Sequence, residues 1–340
     1  MNANTFIPPH LLEIDCAKEL GKISGAIRSS LGRNLHKRGL VLGISGGIDS
    51  SVTAALCVQA VGKDRVIGIQ MPERHSADVT LGLSALLADH LGIRKISVDI
   101  TPILEAVGYY DKYDEAVRTA VPGYEREWKS KIVVSDITED KAYTLFSVVV
   151  ASPDGGVMKK RLELNSYLAI VAATNFKQRI RKMLEYYYAD LHNFAVAGTP
   201  NRLEYDQGFF VKLGDGAADI KPIAHLYKTQ VYQLARHMEI PEAIINRPPT
   251  TDTYSLPQGQ DEFFFSVPYE IMDICLYGKN HGLSPEEVGH QAGLPPGRVS
   301  AIYQDIERKR AATRYLHLSP VLVTSVPEIV QEPVAGNRRE

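Results

Sequence analysis

The sequence has few cysteines, and they lie far apart. Cys16, Cys57 and Cys275 are the three cysteines among 340 residues. An odd number of widely spaced cysteines favours neither a disulfide framework nor a CxxC metal site. We therefore expect three reduced thiols that pack in the hydrophobic core.

The sequence also lacks an excess of charge of either sign and any long apolar run. Its 38 Lys and Arg residues against 40 Asp and Glu residues leave a formal net charge of −2. Nucleic acids and anionic membranes are usually bound by a strongly basic face, so neither partner is expected. No run approaches the roughly 20 apolar residues of a membrane span, and the N-terminal residues have no signal-peptide pattern. We expect a cytoplasmic protein.

The hydrophobic residues, 44% of the chain, follow the pattern of an α/β fold. Spacings of three and four among apolar residues predict an amphipathic helix over residues 11–31. Four short apolar runs then alternate with helical stretches, which predicts buried strands of a doubly wound parallel sheet flanked by helices. These runs are GLVLGIS (39–45), RVIGIQM (65–71), KISVDI (95–100) and NFAVAG (193–198). Because ligands of such sheets bind at the carboxyl ends of the strands, we expect the site just after Ile44, Met71 and Ala197.

Three segments extend this minimal sheet. Residues 108–160 mix aromatic, charged and valine-rich pieces around a PDGG turn, which we interpret as an inserted subdomain, either a hairpin or an oligomer contact. Residues 283–310 have a serine cap, an apolar helix, a glycine turn and a second helix with basic residues, the pattern of a helical hairpin. Residues 326–340 contain proline, glycine and charged residues and are expected to form a mobile tail, which leaves 1–325 as the main domain.

Residues 40–60, LVLGISGGIDSSVTAALCVQA, predict a strand, a phosphate-binding loop and a helix. The adjacent Gly46 and Gly47 let the backbone approach an anion, and the N–H groups of the loop and of the helix N-terminus supply a positive field. Three serines add hydroxyl donors: Ser45, Ser50 and Ser51. The loop has neither the GKS or GKT ending of a Walker loop nor the GxGxxG spacing of a dinucleotide fold. The alternative is a tight turn with an Asp/Ser helix cap, which accounts for Asp49 but not for all the glycines and serines.

The loop sequence SGGIDS resembles the SGGxDS signature of the PP-loop ATP pyrophosphatases. Members of that superfamily hold the departing pyrophosphate in this loop and make AMP–substrate intermediates. NAD, GMP, argininosuccinate, asparagine and thiolated-tRNA enzymes share the motif, so it does not choose the substrate. The order GT…E, GxFxKxGDGxxD, LxK and PT further along resembles the NAD synthetases, and this resemblance extends from the phosphate loop to about Asp273. It is carried by AGTPNRLE (197–204), GFFVKLGDGAADIKPI (208–223), HLYK (225–228) and PPTTD (248–252).

The resemblance implies an adenine nucleotide alpha hydrolase-like fold and a specific reaction. That reaction is the ATP-dependent amidation of nicotinic acid adenine dinucleotide (deamido-NAD) by ammonia through an adenylate, giving NAD, AMP and pyrophosphate. The alternative is another PP-loop ATP pyrophosphatase that amidates or thiolates a different substrate. A rival from another class is an NAD-responsive regulator that reads DNA with residues 283–310 as a helix-turn-helix, against which the balanced charge argues.

The resemblance also implies roles for individual residues. It implies catalytic roles for Asp49, Lys212 and Lys228, and magnesium binding by Asp49 and Glu204. It implies that ATP contacts Gly43, Ile44, Ser45, Gly46, Gly47, Ile48, Asp49, Ser50, Ser51, Met71, Thr199, Lys228 and Thr250. It implies that deamido-NAD contacts Asn175, Arg179, Tyr186, Lys212, Asp219, Arg308 and Lys309. Such charges suit adenylation, because the departing pyrophosphate needs magnesium and lysine while the dinucleotide needs cations of its own.

One group of these residues is also visible in the helical periodicity. Asn175, Arg179 and Tyr186 fall at i, i+4 and i+11, close to one helical stripe. Two polar groups and one aromatic ring therefore face the same way. The alternative is an ordinary solvated helix face.

Three features depart from the family pattern. Val211 stands where the family usually has Thr, the near-C-terminal His-Lys-Arg reads Arg308-Lys309-Arg310, and the 108–160 segment is longer than expected. Family members are commonly homodimers, so we expect a homodimer. No cysteine has the setting of a glutaminase nucleophile. Ammonia is therefore the expected nitrogen donor, with supply by a separate glutaminase left open.

Overall fold

The computed structural model describes residues 11–134, 146–249, 254–256, 258–259, 264–265 and 267–328. The predicted ATP contact Thr250 and residues 329–340 of the predicted tail lie outside these residues. None of the helices in the described ranges is long and apolar enough to cross a membrane.

Within the described ranges, seven strands form two sheets. They are β1 (Leu40–Gly43), β2 (Val66–Gln70), β3 (Arg94–Ser97), β4 (Lys129–Val134), β5 (Phe146–Ala151), β6 (Val157–Arg161) and β7 (Ala195–Val196). One sheet is parallel, in the order β3-β2-β1-β7, and the other is antiparallel, in the order β4-β5-β6. The predicted parallel sheet is confirmed, with one correction. The sequence predicts β3 as a buried strand, whereas its three polar residues, Arg94, Lys95 and Ser97, are exposed at the edge of the sheet.

Helices connect and cover these strands. They are α1 (Cys16–Ser29), α2 (Ile48–Val61), α3 (Asp78–Leu91), α4 (Thr101–Ala106), α5 (Tyr109–Ala120), α6 (Leu164–His192), α7 (Arg202–Gln207), α8 (Lys228–His237), α9 (Glu242–Ile245), α10 (Tyr269–Asn280), α11 (Pro285–Ala292) and α12 (Pro296–Thr313). The first helix begins later than residue 11, because Asp15 caps it by accepting a hydrogen bond from the Lys18 N–H at 3.0 Å. It continues as a π-helical turn to Leu35 and ends at His36, whose φ is 51°.

The central strand β1 separates two hydrophobic cores. Leu40 and Leu42 point to one face and pack with α1, α2 and α8, whereas Val41 points to the other and packs with α5, α6 and the antiparallel sheet. This alternation is the two-residue period of a strand. Helices on both faces make the sheet doubly wound, as the sequence predicts.

The segment predicted as an insertion shares the second of these cores. Its β5–β6 hairpin turns at the PDGG sequence, where the Ser152 N–H donates to the Gly156 carbonyl at 2.9 Å. Val148 and Val150 of β5 are fully buried in the core that also contains Val41. The antiparallel sheet therefore packs against the same structure as the parallel one.

The C-terminal helices form a third core. Ser284 and Glu287 make a reciprocal capping box at the start of α11, as the serine cap in the sequence indicates. Val299 and Ile306 of α12 are fully buried in this core. Arg310 then joins α12 to α7, because its guanidinium donates to both oxygens of Asp206, at 2.6 and 2.8 Å.

Candidate active site

A cavity of about 570 Å³ lies at the carboxyl ends of the parallel strands. Ile44, Met71 and Ala197, the positions that follow three of the strands, are part of its wall. Ligand pockets commonly have volumes of roughly 300–1,000 Å³. The cavity is therefore where the sequence predicts a site, and it has the volume of a ligand pocket.

The phosphate loop forms one end of this cavity. Gly46 has a φ of 68°, and a Cβ atom there would lie 2.8 Å from the Leu83 Cβ, so both conformation and space require glycine. Gly47, not Asp49, is the N-cap residue of α2. The hydroxyls of Ser50 and Ser51 donate to the Gly47 carbonyl, at 3.0 and 2.9 Å. The helix-cap alternative for Asp49 is therefore wrong, and its carboxylate makes other contacts.

Those contacts form a compact charged centre. The Lys228 ammonium is buried and donates to Asp49, and Asn201 donates to the other Asp49 oxygen at 3.0 Å. The Asn201 N–H also donates to Glu204 at 3.1 Å, within the capping box that starts α7. Two carboxylates from different helices thus lie beside a single lysine.

The centre has two carboxyl groups but only one lysine. Burial, together with the Asp49 carboxylate, raises the pKa of Glu204 to about 8. Burial opposes the charged form of Lys228, but Asp49 and Glu204 outweigh it and raise the pKa of that lysine. The raised pKa of Glu204 means that one positive charge does not neutralise both carboxylates. A further cation between Asp49 and Glu204 would neutralise the second carboxylate.

A magnesium ion suits this centre. Among the described residues, no group of three or more His, Cys, Asp or Glu side chains forms a ready-made metal site. Magnesium usually takes only one or two carboxylates from a protein and completes its shell with water and substrate phosphates. Asp49 and Glu204 beside a phosphate loop match that demand.

Asp273 holds the helix that carries Lys228. Its carboxylate accepts hydrogen bonds from the backbone N–H groups of Lys228 and Thr229, at 3.2 and 2.7 Å. It is fully buried, and burial raises its pKa to about 7. Asp273 therefore caps α8 from a different helix, α10, which sequence spacing cannot indicate.

The residues predicted for the dinucleotide divide into two groups. Asn175, Arg179 and Lys212 line the cavity. The Arg179 side chain donates to the Lys212 carbonyl at 3.4 Å, and the Lys212 ammonium donates to the carbonyls of Tyr315 and Leu318, at 2.7 and 3.1 Å. The residues that follow α12 thus lie against this part of the wall.

The other predicted dinucleotide contacts do not line the cavity. Tyr186 donates to Asp219 at 3.3 Å, and Asp219 also accepts the Val196 N–H at 2.7 Å, which fastens it to β7. Arg308 lies 3.5 Å from Asp305. Lys309 donates to the Phe264 carbonyl at 2.6 Å, and its ammonium forms an ion pair with Asp305 at 2.6 Å. Their contacts with the dinucleotide stay predictions.

Among the predicted ATP contacts, Gly46 and Ser51 also lie behind the cavity wall, while the remaining described ones line it. Ser51 is fully buried. Gly46 shapes the loop through its backbone. Both support the phosphate loop rather than face the cavity.

The wall of the cavity also contains a buried ion pair that the sequence did not lead us to predict. Lys182 and Glu185 lie 2.6 Å apart with side chains 7% and 8% exposed. A Cβ on Gly43 would lie 2.9 Å from the Glu185 Oε1, so this pair also explains that glycine. The i, i+3 spacing of Lys182 and Glu185 on a helix could have indicated that the two side chains pair. Burial of the pair depends on β1, which the spacing cannot reveal.

The chain is similar to known NAD synthases over most of its length. The family model described as NAD synthase matches residues 20–126 and 148–314. The chain is 56% identical to the NH(3)-dependent NAD(+) synthetase of Rhizobium meliloti, over 94% of this chain and 95% of that one.

Two solved structures have the same fold. One is the NMN synthetase of Francisella tularensis, with a TM-score of 0.61 and 22% identity over 91% of this chain and all of that one. The other is an NH3-dependent NAD synthetase of Campylobacter jejuni, with a TM-score of 0.60 and 22% identity over 92% of this chain and all of that one. At that identity the likeness is one of fold alone.

Proposed function

The chain belongs to the NAD synthase family, and from this premise we propose that it joins ammonia to deamido-NAD at the expense of ATP. The products are NAD, AMP and pyrophosphate. The observation that carries the proposal is the Asp49–Lys228–Glu204 centre beside a phosphate loop, in one cavity with Arg179 and Lys212. A transfer between two anionic substrates needs such separate cationic groups.

The first step transfers AMP. The phosphate loop holds the β- and γ-phosphates through its N–H groups and the hydroxyls of Ser45 and Ser50, which line the cavity. Magnesium held by Asp49 and Glu204 would neutralise charge on the departing pyrophosphate. A nicotinate carboxylate oxygen bonds to the α-phosphorus while the bond from phosphorus to the bridging oxygen breaks. The Lys228 ammonium would stabilise the negative charge on the departing pyrophosphate. Positioning of the two substrates supplies most of the catalysis.

The second step forms the amide. The ammonia nitrogen bonds to the carboxyl carbon of the adenylate and loses a proton, and the carbon–oxygen bond to AMP breaks. Arg179 and Lys212 hold the dinucleotide by its own anionic groups, so that this carbon stays beside the phosphate loop. No side chain has to form a covalent bond.

Ammonia, not glutamine, is the nitrogen donor for this polypeptide. Cys57 and Cys275 are fully buried, and burial raises the pKa of both thiols to about 12. The partly exposed Cys16 also has a raised pKa, chiefly through burial. Glutamine hydrolysis needs a thiolate, which these environments oppose at neutral pH.

We also propose that the enzyme is a cytoplasmic homodimer. Near its C-terminal end the long helix α6 carries a row of three exposed apolar side chains at spacings of four residues: Met183, Tyr187 and Leu191. Rows of this kind are typical of protein interfaces. Free thiols suit a reducing compartment. The helical pair α11 and α12 lies inside the family match, which argues against a separate DNA-reading module.

The test is an activity assay with purified protein. Protein, ATP, magnesium and deamido-NAD are incubated with ammonium chloride or with ammonia-free glutamine, and NAD, AMP and ADP are measured. We expect NAD and AMP in equal amounts, from ammonium alone. ADP in place of AMP contradicts the adenylation mechanism. A parallel incubation replaces deamido-NAD with nicotinic acid mononucleotide, and amidation of the mononucleotide alone would support another member of the superfamily.

A further inference from the structure

A short turn after α12 forms part of the cavity wall and has no role in the chemistry described above. Residues Arg314–His317 form a 3-10 helix, and Tyr315 and Leu316 line the cavity. We call residues 314–318 the C-terminal turn. The family match ends at residue 314, so most of this turn lies beyond it. The cavity wall thus includes residues that the family pattern does not supply.

The C-terminal turn holds the ammonium of Lys212. The Lys212 Nζ donates to the Tyr315 carbonyl at 2.7 Å and to the Leu318 carbonyl at 3.1 Å. The same nitrogen lies 5.6 Å from the centroid of the Tyr315 ring, within the range of a cation–π contact. An ammonium has three donors, so within the part of the chain that the structure describes one donor is left for a ligand in the cavity. Carbonyl oxygens carry no net charge, so the lysine keeps its positive charge.

The side chain of His317 fastens the turn to α7 and to the residues that follow it. Its ring meets Tyr205 edge-on, with centroids 4.8 Å apart, and meets Phe210 edge-on at 5.2 Å. Tyr205 and Phe210 are themselves stacked at 6.0 Å. A Cβ on Gly208 would lie 2.2 Å from the Thr313 Cβ, so α12 ends in direct contact with the end of α7. The turn is therefore held by its own histidine as well as by the helix before it.

The backbone of Lys212 is constrained as well. The next residue, Leu213, has a φ of 62°, which is unusual for a residue with a side chain. Its side chain is 71% exposed, so burial of that side chain does not hold the conformation. Two hydrogen bonds close the backbone here: the Gly214 N–H donates to the Val211 carbonyl at 2.9 Å, and the Val211 N–H donates to Asp215 at 2.8 Å. Strained backbone persists where the surrounding structure fixes it, and it is common at ligand sites.

A lysine that is fixed at both ends binds an anion at a lower entropic cost. A free lysine side chain loses much of its rotamer freedom when it binds a ligand, whereas a side chain that is held before binding does not. The alternative is that the two carbonyls compete with the ligand, which would make the turn a lid. The contacts favour positioning, because the carbonyls occupy two of three donors and cancel none of the charge.

We propose that the C-terminal turn positions the Lys212 ammonium for an anionic group of deamido-NAD, and that His317 is the positioning residue that holds the turn. The inference rests on the proposed function, in which Lys212 binds the dinucleotide. The turn contacts Lys212 through backbone carbonyls, and His317 lies behind the cavity wall. His317 therefore acts through Lys212 and not on the substrate directly.

The test measures KM for deamido-NAD and for ATP in His317→Ala. We expect KM for deamido-NAD to rise roughly 5- to 30-fold, a range set by the rotamer freedom of one lysine side chain. KM for ATP and kcat should change by less than about 2-fold. His317→Phe keeps a ring against Tyr205 and Phe210 and should keep KM near the wild-type value. Leu322→Ala, at a side chain that is 61% exposed beyond the turn, is the matched control.

A second background separates positioning from a merely structural role. In Lys212→Ala no ammonium is left to position, so adding His317→Ala should raise KM for deamido-NAD by less than about 2-fold further. A His317 that only supports the fold would raise this KM by the same factor in both backgrounds. Thermal unfolding shows whether each variant is folded, and His317→Gln, which also lacks the ring, replaces His317→Ala if that variant is not.

Every outcome either supports or overturns the inference. A rise in KM for deamido-NAD that depends on Lys212 supports it. An equal rise in both backgrounds overturns it, as do unchanged KM values. A KM for deamido-NAD that falls in His317→Ala also overturns it, because the turn then competes with the ligand. A wild-type protein that forms no NAD contradicts the proposed function itself, so the two failures are distinct.

Discussion

At the scale of single residues, Asp49 and Glu204 are the charges on which the proposed adenylation depends. They come from α2 and α7 and share Lys228 and Asn201. We predict that Asp49→Asn and Glu204→Gln each lower kcat by at least ~100-fold, because each removes a charge that holds magnesium against the phosphates. Steady-state rates under saturating ATP and magnesium test this. Near-wild-type rates in both variants would show that the metal assignment is wrong.

The raised pKa of Glu204 predicts a stability effect that is separate from catalysis. The folded carboxyl keeps its proton up to about pH 8, whereas the unfolded one loses it near the ordinary glutamate pKa of 4.5. The folded state therefore binds the extra proton between these values, and the free energy of unfolding falls as the pH rises through them. We predict that Glu204→Gln flattens this fall in thermal unfolding with a chelator. If the stabilities of wild type and variant fell in parallel as the pH rises, the pKa of Glu204 would not be raised in the folded state.

Arg179 and Lys212 are predicted to act on the dinucleotide. Both line the same cavity as the Asp49–Lys228 centre, and neither is paired with that centre by a hydrogen bond within the described residues. We expect Arg179→Ala and Lys212→Ala to raise KM for deamido-NAD much more than KM for ATP, with a loss of about 1.5–3 kcal/mol each for a charged contact. Lys228→Ala should instead raise KM for ATP much more than KM for deamido-NAD. A larger effect of the first two on ATP would place them at the other nucleotide.

At the scale of elements, α8 depends on a carboxylate supplied by α10. Asp273 accepts two backbone N–H groups at the start of the helix that begins with Lys228. We predict that Asp273→Ala lowers the free energy of unfolding by about 2–4 kcal/mol, because two buried donors lose their acceptor. Since Lys228 then shifts, kcat should also fall. Denaturant titration and kinetics measure the two effects.

The control lies three residues away on the same helix. Glu270 is exposed, so Glu270→Ala should change the free energy of unfolding by less than about 0.5 kcal/mol. Asp273→Asn keeps one acceptor oxygen and should give an intermediate loss. Equal stabilities for Asp273→Ala and Glu270→Ala would mean that the cap does not hold α8.

At the scale of the whole molecule, we predict that the exposed apolar row on α6 is buried at the interface of a homodimer. Tyr187 and Leu191 are 58% and 60% exposed. We expect the double change Tyr187→Glu and Leu191→Glu to shift the protein to monomer, because charges cannot be buried unpaired in an interface. Light scattering after size exclusion measures the mass. The control is Val157→Glu on β6, where Val157 is 72% exposed, and this variant should stay a dimer. A protein that stays a dimer after the α6 changes would have its interface elsewhere.

The sequence by itself determined the features that arise from neighbouring residues. The alternation of short apolar runs with helices specifies the parallel sheet, and the SGGIDS segment specifies the phosphate loop, because the glycines, the serines and the following helix act within one turn. Asn175 and Arg179 were predicted as one stripe because i and i+4 are neighbours on any helix. Each of these needs only local geometry.

Tertiary structure alone decided which distant groups meet. Asn201 reaches Asp49 across 152 positions, and Asp273 reaches Thr229 across 44. No local period relates such residues, because their separation in sequence is spanned by whole elements whose packing sets the distance. Burial is decided in the same way: β3 and β7 are the two edges of the parallel sheet, yet three of the four residues of β3 are exposed while both residues of β7 are buried. Phe146 of β5 likewise reaches the cavity only because its sheet packs against α6.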